Sequence, residues 1–150
     1  MAAVAVALIA AGSTDAAQTA SLTRSESALL TVMNQVRTAH GLCPLRADAR
    51  LEGTARNHSR RMLRTGTFTH GAFTTRIRRA GVRAPRIGEN LAWSSGLGSA
   101  RAIVQMWLAS PGHRANLLRP GYRIVGVGAI TGTFNGQRHT LMVTTDFAGR

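Results

Sequence analysis

The tail of the chain constrains the fold most. Ile124 to Thr131 and Thr140 to Phe147 are rich in β-branched and aromatic residues, and Asn135-Gly136 lies between them. Asn-Gly tolerates the positive φ angles of a tight hairpin turn, so the spacing predicts two antiparallel strands closing the molecule. A hairpin alone is marginal in water and needs a partner layer. The preceding sequence supplies helices. Thr23-Arg24-Ser25-Glu26 has the form of a capping box, Leu29, Val32, Met33 and Val36 follow at helical spacing, and Gly41 provides a stop. A second helix is expected from Ala47 to Thr65 with Leu51, Ala55, His58 and Met62 inward, ended by Gly66. Thr74 or Thr75 opens a short third helix that stops at Gly81. Pro85 and Gly88 then mark irregular chain around Ile87 to Leu91. Ser99 caps a fourth helix carrying Ala102, Ile103, Met106 and Trp107, broken at Pro111-Gly112, and another short helix begins near His113. Helices first and a hairpin last define an α+β domain, and 150 residues suffice for one core.

Met1 to Gly12 is an apolar stretch of signal-peptide length followed by small residues. Residues 1–20 are therefore expected to be an export segment and residues 21–150 a single domain. No apolar run reaches the length of a membrane span, so no transmembrane anchor is expected. The lone Cys43 allows no internal disulfide and is expected to be a small buried hydrophobe. Basic residues number 19 against 6 acidic ones, a net charge of +13, and every basic residue is arginine. Such an excess attracts nucleic acid, anionic lipid or acidic cell-wall polymer. Aromatic residues are only 5% and do not interleave with the arginines, so specific nucleic-acid recognition is not expected. The densest groups, Arg56, Arg60, Arg61 and Arg64, then Arg76, Arg78, Arg79, Arg83 and Arg86, have the character of a solvated basic face.

The common catalytic motifs are absent, but three polar residues stand in small or apolar surroundings. His70, in Phe68-Thr69-His70-Gly71, follows a helix stop, where a loop imidazole suits a ligand, a general base or simply a surface position. Glu89 is flanked by apolar chain and needs a partner if buried; it is either a site carboxylate or a structural one. His113 follows Pro111-Gly112 at the start of a helix, where the dipole favours the neutral ring. Two neutral imidazoles and a carboxylate are a set suited to zinc or another divalent ion. Sequence separation alone cannot bring them together. His58 belongs to the core or rim of the second helix, His40 ends the first helix, and His139 begins a strand at the surface.

At these residues the chain resembles the CAP superfamily of cysteine-rich secretory, antigen 5 and pathogenesis-related proteins, and most of all its short bacterial SCP-domain members. The segments that carry the resemblance are Phe68-Thr69-His70, Gly88-Glu89-Asn90-Leu91, Trp107 to Leu118, and Gly126-Val127-Gly128. The resemblance implies a three-layer α-β-α sandwich with a central antiparallel sheet and a large cleft. It implies that His70, Glu89 and His113 meet there, with Ser110 where animal and plant members carry a further glutamate. His70 and His113 would hold a metal, with Glu89 as ligand or outer partner. Related proteins bind divalent ions, sterols or fatty acids, and no shared reaction is established for them. The expectation is a secreted or envelope-associated, non-catalytic binder of a small apolar or anionic ligand or of an anionic cell-envelope component. The alternative is a metal-assisted hydrolase using the same cleft. A nucleophilic role for Ser110 would need an imidazole nitrogen within hydrogen-bond reach.

Overall fold

A computed structural model of the protein describes residues 21–96 and 98–150; the expected export segment lies outside them. The element order is α1 (Arg24–Ala39), β1 (Arg46–Ala47), α2 (Ala49–Thr65), α3 (Phe73–Arg79), β2 (Arg86–Ser94), α4 (Ala100–Ala109), α5 (Pro111–Leu117), β3 (Tyr122–Phe134) and β4 (Gln137–Gly149). The sheet order is β1-β3-β4-β2. The two-residue β1 runs parallel to β3, and the other pairings are antiparallel. The hairpin turns at Asn135 (φ 49°) and Gly136 (φ 78°), as the sequence predicts.

Local signals set the helix ends. Thr23 and Glu26 form the capping box of α1. α2 starts at Ala49 rather than Ala47, because the Asp48 side chain accepts from the amides of Arg50 and Leu51. Gly66, in the left-handed region, ends it. α3 starts at Phe73, before either Thr74 or Thr75, with no side-chain cap.

Strand alternation divides the core. On one face of the sheet, Val125, Val127, Val143 and Phe147 pack with Leu29 and Met33 of α1, Ile103, Val104 and Trp107 of α4, and Leu117 of α5. On the other face, Leu51 of α2 and Ile77 of α3 pack with Ala148, and Met62 of α2 packs with Leu91 and Met142. The result is the α-β-α sandwich. The Gly126-Val127-Gly128 segment has a physical reason: a Cβ on Gly126 would strike the backbone of Leu51, and one on Gly128 the backbone between Ala55 and Arg56. Those two glycines let α2 lie directly on β3. Arg37, fully buried, ties α1 to the α5–β3 connection through the carbonyls of Leu117 (2.8 Å), Arg119 (3.1 Å) and Tyr122 (3.2 Å).

Two expectations are corrected. The stretch around Ile87 to Leu91 is not irregular but lies in β2, in register with β4 from Arg86↔Gly149 to Ser94↔Leu141. Gly88 to Ala92 are buried on both faces, so the polar-apolar alternation that announces a strand is missing. Cys43 is exposed, not buried. It lies on the α1–β1 connection, where its backbone carbonyl faces inward to Arg37 Nε (3.0 Å).

Candidate functional site

β2 is the edge strand on the far side of the sheet from β1, and the candidate residues gather along it from both helical layers. His70 lies on the α2–α3 connection. Buried His58 of α2 donates from Nε2 to Thr69 O (2.8 Å), and Arg76 of α3 donates to His70 O (2.7 Å). The loop is thus held from two helices while the His70 side chain stays 57% exposed. His58 stays neutral: burial, aided by the positive charge of Arg76, pushes its pKa down to about 4.

Glu89 projects from β2 towards α2 and α3, and its carboxyl is almost wholly buried. Oε1 lies 2.6 Å from His70 Nδ1, and Oε2 pairs with the guanidinium of Arg76. Burial pushes its pKa up to about 7 despite Arg76. Its register partner on β4 is Asp146, also fully buried. Asp146 is pushed up to about 8, first by burial and then by the neighbouring charge of Glu89. The geometry agrees with a protonated Asp146. Thr54 Oγ1 lies 2.6 Å from Asp146 Oδ2 and 2.8 Å from Leu51 O. One hydroxyl proton cannot serve both acceptors. A protonated Asp146 donating to Thr54, which then donates to Leu51, satisfies all three. Of the two acids Glu89, between His70 and Arg76, is therefore the one that ionises first.

The opposite layer supplies His113, on α5. Its backbone carbonyl accepts from Asn90 Nδ2 (3.0 Å). Burial lowers its pKa, with the nearby His70 adding a smaller push, and its Nδ1 is buried without a hydrogen-bond partner. Asn116 fastens α5 to β2, donating to Glu89 O (3.1 Å) and Asn90 Oδ1 (3.0 Å). Gly88 makes this approach possible: a Cβ there would overlap the Tyr122 hydroxyl and come within 2.8 Å of Asn116 Oδ1. Ser110 is the N-cap of α5 and makes no side-chain capping bond. Among the described residues its hydroxyl bonds to no imidazole.

The structure thus joins His70 directly to Glu89 and anchors His113 beside them through Asn90. Arg76 and Asp146 are the residues that sequence reasoning missed. Arg76 is one of many arginines, and only the rarity of acidic residues in the tail distinguishes Asp146. Among the described residues no group of three metal-ligating side chains converges on one point. Both Glu89 oxygens are engaged, which leaves the imidazoles of His70 and His113 as the available donors. The set fits a divalent ion only as a two-imidazole site, with Glu89 as the outer partner that orients His70.

An α-β-α sandwich whose edge strand presents a carboxylate–histidine pair, faced by a second histidine from a Pro-Gly-His turn, defines the class. The model of the CAP (cysteine-rich secretory protein) family matches residues 30–147, and the chain belongs to that family. It is 35% identical over 111 residues to YlbC, an uncharacterized membrane protein of Bacillus subtilis, covering 71% of this chain and 32% of that protein. With YkwD, an uncharacterized protein of the same organism, it shares 30% identity over 115 residues, 73% of this chain and 44% of that protein. The chain therefore spans less than half the length of either relative. Among solved structures it is similar to an extracellular SCP-domain protein of Bacillus anthracis (TM-score 0.70, 27% identity, 84% of this chain and 40% of that one). An outer surface protein of Borrelia burgdorferi shares the fold (TM-score 0.63, 22% identity, 81% of this chain and 90% of that one). No helix among the described residues is long and apolar enough to cross a membrane.

Proposed function

We propose that the chain is an exported, non-catalytic binding domain that takes a small apolar or anionic ligand, or a cell-envelope component, at the His70–Glu89–His113 face. The observation that carries this reading is the full engagement of Glu89. With one oxygen on His70, the other on Arg76 and its side chain only 1% exposed, the carboxylate is committed to holding those two groups and is not presented to a solvent water. Exposed apolar surface beside the imidazole supports recognition of a ligand. Phe68, two residues before His70, leaves 43% of its surface exposed, offering apolar contact beside an accessible imidazole. Export agrees with the extracellular and outer-surface proteins that share the fold. The test is mass spectrometry of the small molecules and metals that accompany the protein purified from its host's medium. A bound lipid or acid that is lost in His70→Ala is expected. Recovery only from the cell interior, or a ligand indifferent to His70→Ala, contradicts the proposal.

One observation favours the hydrolase alternative. With Nδ1 of His70 on Glu89, Nε2 makes no bond among the described residues and is open to zinc or another divalent ion. A bound ion would supply a positive centre for an anionic group. Zinc-dependent cleavage of ester, peptide or phosphodiester substrates, lost in His113→Ala, would establish this reading over the first.

A further inference from the structure

Among the described residues four of the five acidic side chains point inward. Glu26, Glu52, Glu89 and Asp146 are all buried. The nineteen arginines, with few exceptions, are therefore left without an anion: among the described residues only Arg50, Arg56 and Arg76 meet a carboxylate. The unmatched charge is concentrated at one end of the sheet. There β1, β2 and β3 begin and β4 ends, because β4 runs antiparallel to both of its neighbours and β1 runs with β3. Each strand carries an arginine at that end: Arg46 opens β1, Arg86 opens β2, Arg123 is the second residue of β3, and Arg150 follows β4.

This convergence lines a groove of about 480 Å³, to which Arg46, Arg50, Arg83, Arg123 and Arg150 contribute from separate segments of chain. Val82, Ala84 and Pro85 contribute small apolar surface, and the same segment borders an adjoining depression of about 530 Å³ that adds Arg78. No acidic side chain among the described residues lines the groove; Arg50 alone of its arginines is paired, with Asp48 at 2.8 Å. No aromatic ring lines either depression, so neither offers a base-stacking platform. Guanidinium groups arriving from several directions suit tetrahedral anions, each of which presents two free oxygens to different arginines.

We propose that this sheet-end groove binds a linear phosphodiester polymer that carries no bases. The groove shares no residue with the His70–Glu89–His113 face, so the inference does not rest on the function proposed for that face.

The probe is poly(glycerol phosphate), titrated against the full chain at several salt concentrations. Two triple variants remove equal charge: Arg46→Gln/Arg83→Gln/Arg150→Gln in the groove, and Arg60→Gln/Arg61→Gln/Arg64→Gln on exposed positions of α2. The groove variant is expected to bind on the order of ten-fold more weakly, with a log–log salt slope reduced by about 2. The α2 variant should lose less than about three-fold, and His70→Ala should bind like the parent. Thermal unfolding verifies that each variant is folded; if the groove triple is not, Arg83→Gln alone, on the α3–β2 connection, serves in its place with a proportionately smaller loss. Equal losses in both triple variants would mean diffuse charge attraction and would overturn the proposal. So would an oligothymidylate or polyglutamate of the same charge binding as tightly through the same arginines, or a lack of binding at low salt.

Discussion

Among the described residues two pairs of acidic side chains are buried, each with an arginine beside it, and they behave differently. Glu26 and Glu52 flank Arg56 between α1, α2 and β3. Glu89 and Asp146 lie on β2 and β4, and Arg76 reaches only Glu89. In the first cluster burial alone would raise Glu26, but two bonds from Arg56 and those from Thr23 overcome it, and its pKa falls. In the second, burial wins for both acids. The first cluster is closed and joins α1 to α2, whereas the second leads to solvent through His70. In both clusters burial raises the second acid, Glu52 or Asp146, and both oxygens of the first acid are engaged; the difference lies in that first acid, which is lowered at Glu26 and raised to about 7 at Glu89.

The largest test of this contrast removes each arginine. Arg56→Met leaves two buried carboxyls, one of them held in its charged form, and should cost about 3–5 kcal/mol in denaturant unfolding. Arg76→Met should cost less, about 1–2 kcal/mol at pH 6, because Glu89 can take up a proton there. Equal losses would erase the distinction. Asp146→Asn comes next. An acid whose folded pKa is raised stabilises fully below its ordinary value and loses that contribution as pH rises through the folded one. For Asp146 the window runs from 3.8 to about 8, and for Glu89 from 4.5 to about 7. His58 works in the opposite sense, losing its contribution as pH falls from 6.5 to about 4. Stability of the parent should therefore decline as pH rises from about 4 to about 8. Asp146→Asn should flatten that decline by on the order of a few kcal/mol, and a variant that declines as steeply as the parent would place the proton elsewhere.

Smaller effects sharpen the site itself. Gly88→Val forces a side chain against Tyr122 and Asn116 and should cost about 1–3 kcal/mol, with α5 shifted from β2. An unperturbed amide spectrum around Asn116 would show that the close approach is not needed. His70→Ala should change stability by less than about 1 kcal/mol, because the ring is mostly exposed, while weakening zinc binding in a calorimetric titration. Unchanged zinc affinity would remove His70 from any ion site.

Much of the fold was legible because its signals are local. The Thr23–Glu26 box, Gly66, Ser99 and Asn135-Gly136 each act within a few residues. β2 was not legible, since a strand buried on both faces and interrupted by Gly88, Glu89 and Asn90 lacks period-two patterning. Cys43 misled because thiols usually pack inside. His70, Glu89 and His113 stood out by residue type and surroundings. Arg76 did not, since its distinction from its neighbours is spatial: of the arginines on α3, it is the one that reaches Glu89. Asp146 became visible as a partner only through the β2–β4 register.

Glu89 orients His70 through Nδ1, which leaves Nε2 as the nitrogen available to a ligand. Long-range proton–nitrogen NMR on the neutral His70 ring measures this directly. The prediction is a proton on Nδ1 and a bare Nε2, with that preference lost in Glu89→Gln. A proton on Nε2, or a His70 signal indifferent to Glu89→Gln, would contradict the account.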